Sequence, residues 1–363
     1  MKILVVGGTL YFGKIIVRSF LERGDEVTIY SRGNTRPEFW DECDHIIGDR
    51  TDQDSFRSNL AGRSFDAVID NLAFRVEDVQ SAVRALKGRT GRYIVASTVS
   101  IYGGPGHALT RRPSGHDGPP PDHSDQFVDL VTECPITEDS VDLASVPWTY
   151  DDTEDEYAQG KRQIERYLAE TSDFPWVVMR VPATMGPEDP SLRFWWYQQR
   201  IEDGRPIVLR DGGSGVFRLG FRDDIARAFV DAADSPDTAG NIYNICQTEI
   251  PTLRHYLETV AGACGTELNA VSVPGRACDL LSDLPWKDWS YDPLYIPSPY
   301  VMSVERARRD FAMFSTPMAD WISETVNWYR ENRAPDSAHY EGRDREVELA
   351  ERWEKDYSHI VGA

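Results

Sequence analysis

The 363-residue chain is poor in several features that whole classes of protein require. Its five cysteines are scattered, odd in number and without metal-type spacing, which argues against a disulfide framework and favours reduced thiols. Its 39 Lys and Arg face 60 Asp and Glu, so a basic stripe for nucleic acid is not expected. No apolar run approaches the ~18 residues of a membrane span, and the run after Met1 is too short for a signal peptide. We therefore expect a soluble, cytoplasmic protein without a metal, a membrane anchor or a nucleic-acid partner.

The N-terminus has the pattern of a strand, a glycine-rich turn and a helix. Residues 2–7 are apolar, Gly7-Gly8-Thr9-Leu10-Tyr11-Phe12-Gly13 forms the turn, residues 14–23 are amphipathic, and residues 26–30 predict a second strand. Glycines in such a turn let the backbone approach a pyrophosphate at the helix N-terminus. An ordinary strand-to-helix turn is the alternative. The candidate cofactor contacts here are Gly7, Thr9, Leu10, Tyr11, Phe12 and Gly13.

The residues after the second strand bear on whether the dinucleotide is NAD or NADP. Ser31 and Arg32 stand where an NAD-selective site usually carries an acidic residue, and Arg32 is suited to a 2′-phosphate. This favours NADP over NAD, although Arg32 is also compatible with a solvated loop. Further on, Asp49 either accepts from an adenine amino group or caps the helix predicted over 52–60.

Strands and helices alternate through the first half of the chain. Strands over 65–70, 92–97 and 174–181, with a helix over 76–86, predict an α/β fold with a doubly wound parallel sheet, the Rossmann fold. Ligands of such sheets bind at the carboxyl ends of the strands, where Thr98 lies. Tyr157 and Lys161 lie one turn apart on a predicted helix, so the ammonium favours a phenolate that can exchange a proton with substrate. Alone, this spacing is more typical of a solvated helix face.

Six ordered motifs together resemble one protein family. They are the Gly7–Gly13 turn, Gly48-Asp49, Ser97-Thr98-Val99-Ser100-Ile101-Tyr102-Gly103, Tyr157 with Lys161, Arg180-Val181-Pro182-Ala183-Thr184-Met185-Gly186-Pro187, and Phe221-Arg222-Asp223-Asp224-Ile225-Ala226. Over most of its length the chain resembles an extended short-chain dehydrogenase/reductase of the NAD-dependent epimerase/dehydratase superfamily.

The resemblance implies a role for each matched residue. Tyr157 would be the acid/base, Lys161 would hold the nicotinamide ribose and lower the Tyr157 pKa, and Thr98 would bind the reacting oxygen. Further cofactor contacts would come from Arg50, Asn71, Leu72, Ala73 and Pro182. A homodimer is also expected.

Departures from the family's motifs narrow the reaction. Val99 and Ser100 stand where sugar-nucleotide 4,6-dehydratases carry Asp and Glu, which disfavours that class. Ala183 stands where sugar-nucleotide enzymes of this superfamily usually carry an Asn that contacts the substrate's diphosphate, and this departure argues against a nucleotide-sugar substrate. The candidate substrate contacts are Ser100, Thr184, Arg193 and Arg218, the arginines because a guanidinium binds anions through a fork.

Three functions are compatible with these residues. The first is hydride transfer to or from a secondary alcohol or ketone carbon of a sugar nucleotide or related polyhydroxylated small molecule, in an oxidoreductase or epimerase. The second is an NADPH-dependent ketoreductase acting on a biosynthetic intermediate. The third belongs to another class, a non-catalytic cofactor-sensing or RNA-associated protein, since one fold hosts many functions.

The domain organisation is predicted from changes in composition. Residues 1–187 form the dinucleotide-binding domain, with an insertion at about 104–150 that is either a disordered surface segment or a lid. His107, His116 and His123 in the insertion are expected to be solvated. Residues 188–334 form a smaller C-terminal α/β substrate-binding lobe with interleaved elements. Residues 335–363 add a helix whose apolar stripe should dock on its own body or on a partner subunit; the stripe comprises Val347, Ala350, Trp353, Tyr357 and Ile360.

Overall fold

The computed structural model describes residues 1–103, 134–151, 155–284, 293–294, 299–311, 313–333 and 340–357. The strands in this part of the chain are β1 (Lys2–Val6), β2 (Glu26–Ser31), β3 (Asp44–Ile47), β4 (Ala67–Asp70), β5 (Tyr93–Thr98), β6 (Trp176–Val181), β7 (Thr184–Met185), β8 (Ile207–Arg210), β9 (Gly220–Phe221), β10 (Asn241–Asn244) and β11 (Ala270–Val273). The α-helices are α1 (Tyr11–Glu22), α2 (Gln53–Asn59), α3 (Val76–Leu86), α4 (Glu156–Glu170), α5 (Arg193–Glu202), α6 (Arg222–Asp234), α7 (Leu253–Cys264), α8 (Gly275–Leu281), α9 (Glu305–Phe311), α10 (Met318–Asn332) and α11 (Arg343–Asp356).

A seven-stranded parallel sheet forms the centre of the molecule, in the order β10-β6-β5-β4-β1-β2-β3. Ile3, Leu4, Val5 and Val6 of β1 have no exposed surface, because helices cover both faces of the sheet. The predicted α/β class and doubly wound Rossmann sheet are confirmed. The chain proceeds from β1 to one side and from β4 to the other, so a crevice opens at the carboxyl ends of these two strands.

Helix α1 begins three residues earlier than the sequence pattern indicates. Its first residue is Tyr11, after the extended cap residue Leu10, so Gly13 lies inside the first turn. The predicted start at Lys14 was therefore wrong. The apolar positions Ile16, Val17 and Phe20 gave the correct helical face, but they do not mark where the turn becomes helical.

A second body of structure packs around an aromatic core. Strands β8 and β11 form a small parallel sheet, and helices α5, α7 and α10 pack beside it. Phe194, Trp195 and Trp196 of α5 are buried, and the Trp195 ring stacks on Tyr329 of α10 with centroids 5.3 Å apart. These tryptophans therefore fill the core rather than line an open surface.

The C-terminal helix α11 packs on this same body. Ala350 and Trp353 of the predicted stripe are buried in the aromatic core, and Tyr357 packs against it. Leu349, which the predicted stripe did not include, is buried there as well. Two charged residues of α11 are also buried, since Glu346 pairs with Arg343 and Arg200. Its other carboxylate oxygen accepts the Val208 N–H of β8 at 3.1 Å. Ile360 lies outside the described residues.

Most of the predicted insertion lies outside the described residues, including His107, His116 and His123. Its last part is described, with short 3-10 turns at Glu138–Ser140 and Leu143–Ser145. The second of these turns packs against α4. In the part of the chain that is described, no helix is both long enough and apolar enough to cross a bilayer. The lid and the domain boundaries stay predictions.

Candidate active site

A cavity of about 520 Å³ opens at the carboxyl ends of the central strands. It is bounded by β5, the start of α4, the segment after β6 and residues of the aromatic body. Eleven of the residues singled out in the sequence lie in its wall: Tyr11, Phe12, Asn71, Thr98, Ser100, Tyr157, Lys161, Pro182, Thr184, Arg193 and Arg218. Residues far apart in the chain thus come together at one site.

Lys161 is held at the base of the cavity by backbone carbonyls. Its ammonium donates to the Ala73 oxygen at 2.7 Å and to the Ala96 oxygen at 2.5 Å. Burial lowers the pKa of Lys161 to about 8, against the opposing effect of the carboxylates of Asp70, Asp78 and Glu165. An ammonium has three N–H groups, so one remains for a ligand.

Tyr157 lies one turn before Lys161, at the start of α4, where the side chain of Asp155 caps the helix by accepting the Tyr157 N–H at 3.2 Å. Its hydroxyl lies near the Thr98 side chain in the cavity wall. Burial raises the pKa of Tyr157, and the nearby Thr98 hydroxyl opposes this. The expected lowering by Lys161 is therefore not found, because desolvation of the phenolate is the larger effect.

Thr98 is hydrogen-bonded to Ser100, a second hydroxyl-bearing residue of the cavity wall. Its Oγ1 donates to the Ser100 Oγ at 2.8 Å and accepts the Ser100 N–H at 3.2 Å. Because Ser100 lies in the 3-10 turn that follows β5, both side chains are directed to the same wall of the cavity. Tyr157, Thr98 and Ser100 therefore line the same cavity with their hydroxyl-bearing side chains.

The glycines of the turn allow the protein backbone to come close to a bound ligand. Gly7 has φ +85°, and a Cβ on Gly13 would lie 2.6 Å from the Gly7 oxygen. Gly8, which the choice of site residues missed, is equally constrained, since its Cβ would lie 2.5 Å from Val17. Leu72 packs against Gly7 from the β4 side. Half-buried Thr9 and exposed Leu10 complete the turn.

Asn71 has a buried amide whose oxygen and nitrogen have no hydrogen-bond partner within the described structure. It lies beside Gly13 in the cavity wall. A buried amide without partners is costly unless a ligand satisfies it. The narrow glycine turn and this amide fit a bound dinucleotide.

The loops after β2 and β3 lie farther along the same edge of the sheet. Arg32 is exposed, and the Ser31 Oγ accepts the Gly33 N–H at 3.2 Å. Asp49 is exposed, and its pKa is lowered by two donors from Thr51, the hydroxyl at 2.7 Å and the N–H at 2.9 Å. The cap of α2 is Asp52 instead, which accepts from the Ser55 N–H at 3.0 Å. The capping alternative for Asp49 is therefore wrong.

Arg50 was predicted to contact the cofactor, and this prediction was wrong. Its side chain is only 4% exposed, and its guanidinium donates to the Asp70 carboxylate, at 2.8 Å from Nη2, and to Ser81. A guanidinium with these internal partners is not available to a cofactor. Its role is to join α3 to the end of β4, beneath the turn that carries Asn71.

Two arginines also line the cavity. Arg193 donates to the Ser191 Oγ at 3.1 Å. Arg218 donates to two backbone carbonyls, those of Met302 and of Thr248, and its buried Nε has no hydrogen-bond partner in the described structure. Burial lowers the pKa of Arg218. Thr184 turns its hydroxyl toward the Pro182 oxygen at 3.0 Å.

Sequence reasoning missed several residues of the cavity wall. Phe74 lies one position beyond the predicted Asn71–Ala73 segment, and its ring is 4.8 Å from the Lys161 ammonium. Extending that segment by one residue would have found it. Asp189 and Tyr300 also line the cavity, and Tyr300 donates to the Val99 oxygen at 2.7 Å. Tyr300 is some 200 positions from its acceptor, so no local pattern indicates the contact.

Comparison with known proteins gives relatives of two kinds. The chain is 25% identical over 277 residues to the chloroplast stem-loop binding protein of 41 kDa b from Arabidopsis thaliana, covering 73% of this chain and 63% of that protein. The chain thus spans less than two thirds of that relative's length. It is 24% identical over 286 residues to 2'-dehydrokanamycin reductase from Streptomyces kanamyceticus, covering 78% and 72% of the two chains.

Solved structures share the fold. The UDP-glucuronic acid 4-epimerase of Bacillus cereus, determined in complex with NAD, superposes with a TM-score of 0.62 at 16% identity, over 93% of this chain and all of that one. The model of the NAD dependent epimerase/dehydratase family matches residues 3–246, a region that contains the glycine turn, Thr98, Tyr157 and Lys161. The chain therefore belongs to the NAD-dependent epimerase/dehydratase family.

Proposed function

We propose that the protein is an NAD(P)-dependent oxidoreductase or epimerase that transfers a hydride to or from a secondary alcohol or ketone carbon of a sugar nucleotide or related polyhydroxylated small molecule. The observation that carries the proposal is the convergence of Thr98, Tyr157 and Lys161 on one wall of the cavity. Family membership supports a nicotinamide cofactor. A 4,6-dehydratase remains disfavoured, because Val99 is buried beside Thr98 and carries no acid.

The proposed mechanism assigns one task to each residue. The glycine turn, Asn71, Ala73 and Pro182 would hold the dinucleotide, whose nicotinamide supplies the hydride chemistry. The remaining N–H of Lys161 would donate to a ribose hydroxyl. Thr98 would hold the substrate oxygen beside the Tyr157 hydroxyl, which gives a proton to that oxygen in reduction and takes it in oxidation.

The substrate wall supports an anionic ligand. Arg218 is half-buried, and its hydrogen bonds in the described part of the chain go to backbone carbonyls, so no carboxylate is directly paired with it there. A guanidinium in this position gains most from a phosphate or carboxylate. Together with the Ser100 hydroxyl, Arg193 and Arg218 would bind a sugar nucleotide or another acidic polyol.

Two alternative functions, a reductase and a non-catalytic protein, are each supported by the name of one similar protein. The Streptomyces reductase supports a single reduction of a biosynthetic intermediate rather than epimerisation. An epimerase retains its cofactor through the cycle, so tightly bound cofactor in purified protein favours epimerase, and free exchange favours reductase. The Arabidopsis relative, which is named for stem-loop binding, supports the alternative of a nucleic-acid-associated protein. The net charge of −21 opposes binding to phosphate backbones.

The decisive experiment is the variant Tyr157→Phe with a panel of nucleotide sugars and their keto forms, tested with NAD and NADP. We expect turnover to fall by ~10² or more, as for a lost general acid/base, with cofactor affinity nearly unchanged. Tyr167→Phe is the control, since Tyr167 lies on the same helix but is half-buried and packs against the core rather than lining the cavity. Equal turnover in the two variants would contradict the mechanism. Binding of an RNA stem-loop, with no turnover, would favour the non-catalytic alternative.

A further inference from the structure

A buried ion pair lies directly behind the catalytic residues. Glu165 is on α4, one turn after Lys161, and Arg180 is on β6; neither side chain has exposed surface. The Arg180 Nη2 donates to the Glu165 Oε2 at 2.7 Å, and its Nε lies 3.2 Å from both carboxylate oxygens. This is a forked contact, so it fixes direction as well as distance.

The same pair is bonded to the strand that carries Thr98. Ser97 donates to the Glu165 Oε1 at 2.5 Å, and in the sheet Ser97 is the register partner of Arg180. The Arg180 Nη1 donates to the Tyr102 hydroxyl at 2.5 Å and to the Glu138 oxygen at 2.8 Å. The pair therefore contacts the residue before Thr98 and the end of the turn after it.

Stability alone does not explain this arrangement. Burying two charges costs desolvation free energy that their attraction offsets only partly, and apolar residues of similar volume often stabilise a fold as well or better. What apolar packing lacks is a fixed direction. A slip of α4 along β5 would separate Tyr157 and Lys161 from Thr98, and a misplacement of about 1 Å can cost ~10² in rate.

We infer that Glu165 and Arg180 are positioning residues that fix helix α4 against strand β5, and so hold Tyr157 and Lys161 at their working distance from Thr98. This inference rests on the proposed function. Glu165 also acts through charge, because it is one of three carboxylates that favour the protonated form of Lys161. The others are Asp70 of β4 and Asp78 of α3, and the Tyr157 phenol faces Lys161 from its own helix.

The test compares Glu165→Gln with Glu346→Gln. Both replace a buried carboxylate that is paired with arginine by a neutral group of the same shape, but Glu346 belongs to the aromatic body. For Glu165→Gln we expect kcat to fall roughly tenfold to a hundredfold with KM little changed. The alkaline limb of the plot of kcat against pH should move to lower pH, because Lys161 loses its proton more easily without the Glu165 carboxylate. Glu346→Gln should lower thermal stability and leave that limb in place.

The double variant Glu165→Gln/Arg180→Met covers the case in which a lone buried guanidinium prevents folding. It should fold, and its kcat should remain reduced. A normal kcat and an unmoved alkaline limb in either folded Glu165 variant would overturn the inference. So would an equal loss of kcat, with no shift of the limb, in Glu346→Gln.

Failure of the proposed function gives a different result, namely a wild type that turns over no substrate in the panel. The inference is then read from cofactor titrations against pH, because Lys161 is expected to bind the ribose only when protonated. Glu165→Gln should lose affinity at a lower pH than the wild type. Identical pH dependence of binding would overturn the positioning and charge role of Glu165.

Discussion

Arg32 is a single exposed side chain on which, in our proposal, the choice between NAD and NADP depends. If its guanidinium contacts a 2′-phosphate, the contact is worth on the order of 1.5–3 kcal/mol, or roughly tenfold to a hundredfold in affinity. We propose this preference for NADP and expect Arg32→Ala to remove it while leaving NAD affinity unchanged. Titration of both cofactors into wild type and variant measures the effect.

A neighbouring arginine provides the control for this change. Arg36 is on the same loop and carries the same charge, but its guanidinium lies over the Trp40 ring, 5.5 Å from the centroid. Arg36→Ala should therefore alter NADP affinity much less. Equal wild-type affinities for NAD and NADP, or an Arg32→Ala variant that keeps its preference, would show that Arg32 points to solvent.

Single positions also show where sequence reasoning succeeds and where it stops. Thr98, Tyr157 and Lys161 follow from ordered motifs, and they do meet in one cavity. Asp49 and Arg50 are adjacent in the chain, yet one is exposed and the other is buried against Asp70. The partners of Arg50 come from β4 and α3, some 20 to 31 positions away, and nothing in the local pattern announces them.

At the scale of one element, the start of α1 depends on the absence of a side chain at Gly13. A Cβ there would be 2.6 Å from the Gly7 oxygen, so Gly13→Ala must push α1 away from the end of β1. Because this gap receives the dinucleotide in our proposal, we expect cofactor affinity to fall by about tenfold or more, equivalent to ~1.4 kcal/mol or more. Isothermal titration with NAD and NADP measures the loss.

Gly262 is the matched control for this substitution. It lies in α7, and a Cβ there would meet nothing within 4 Å. Gly262→Ala should stabilise the protein by up to ~1 kcal/mol, because Ala favours the helix, and should not change cofactor affinity. If Gly13→Ala binds cofactor as tightly as Gly262→Ala does, the close contact at α1 is not needed for binding.

Elements with a strong apolar period were predictable, and weakly periodic ones were not. The helix expected over 76–86 is α3, Val76–Leu86, because its apolar residues repeat clearly along one face. Strand β11 and helix α8 were not predicted. Only Gly275 and Cys278 of α8 are buried, so it has almost no apolar stripe to detect.

At the scale of the whole molecule, α11 is part of the aromatic body and not an appendage. Leu349 is 3% exposed in that core, so Leu349→Ala should lower the free energy of unfolding by about 2–5 kcal/mol. Leu280 is 73% exposed, and Leu280→Ala should change it by no more than ~0.5 kcal/mol. Urea denaturation of both variants gives the comparison.

The expected homodimer adds an alternative explanation that the same measurement separates. If Leu349 instead stabilised contacts between two chains, the unfolding midpoint of the wild type would depend on protein concentration, and that of Leu349→Ala would not. We expect the difference between the two leucine variants to be the same at every concentration. A similar, small effect of both substitutions would contradict the packing of α11.

The hydrogen bond from the Val208 N–H to Glu346 affects whether strand β8 can pair with a strand of another molecule. The Ile207 N–H of β8 donates toward the β11 side. Because successive N–H groups of a strand point in opposite directions, the Val208 N–H lies on the other edge of β8, where no strand is paired in the described structure. Unpaired sheet edges can pair with strands of other molecules and so start aggregation. A carboxylate on a highly charged helix occupies this donor and blocks the approach of a foreign strand. Helix α11 thus covers one edge of this small sheet as well as completing the aromatic core.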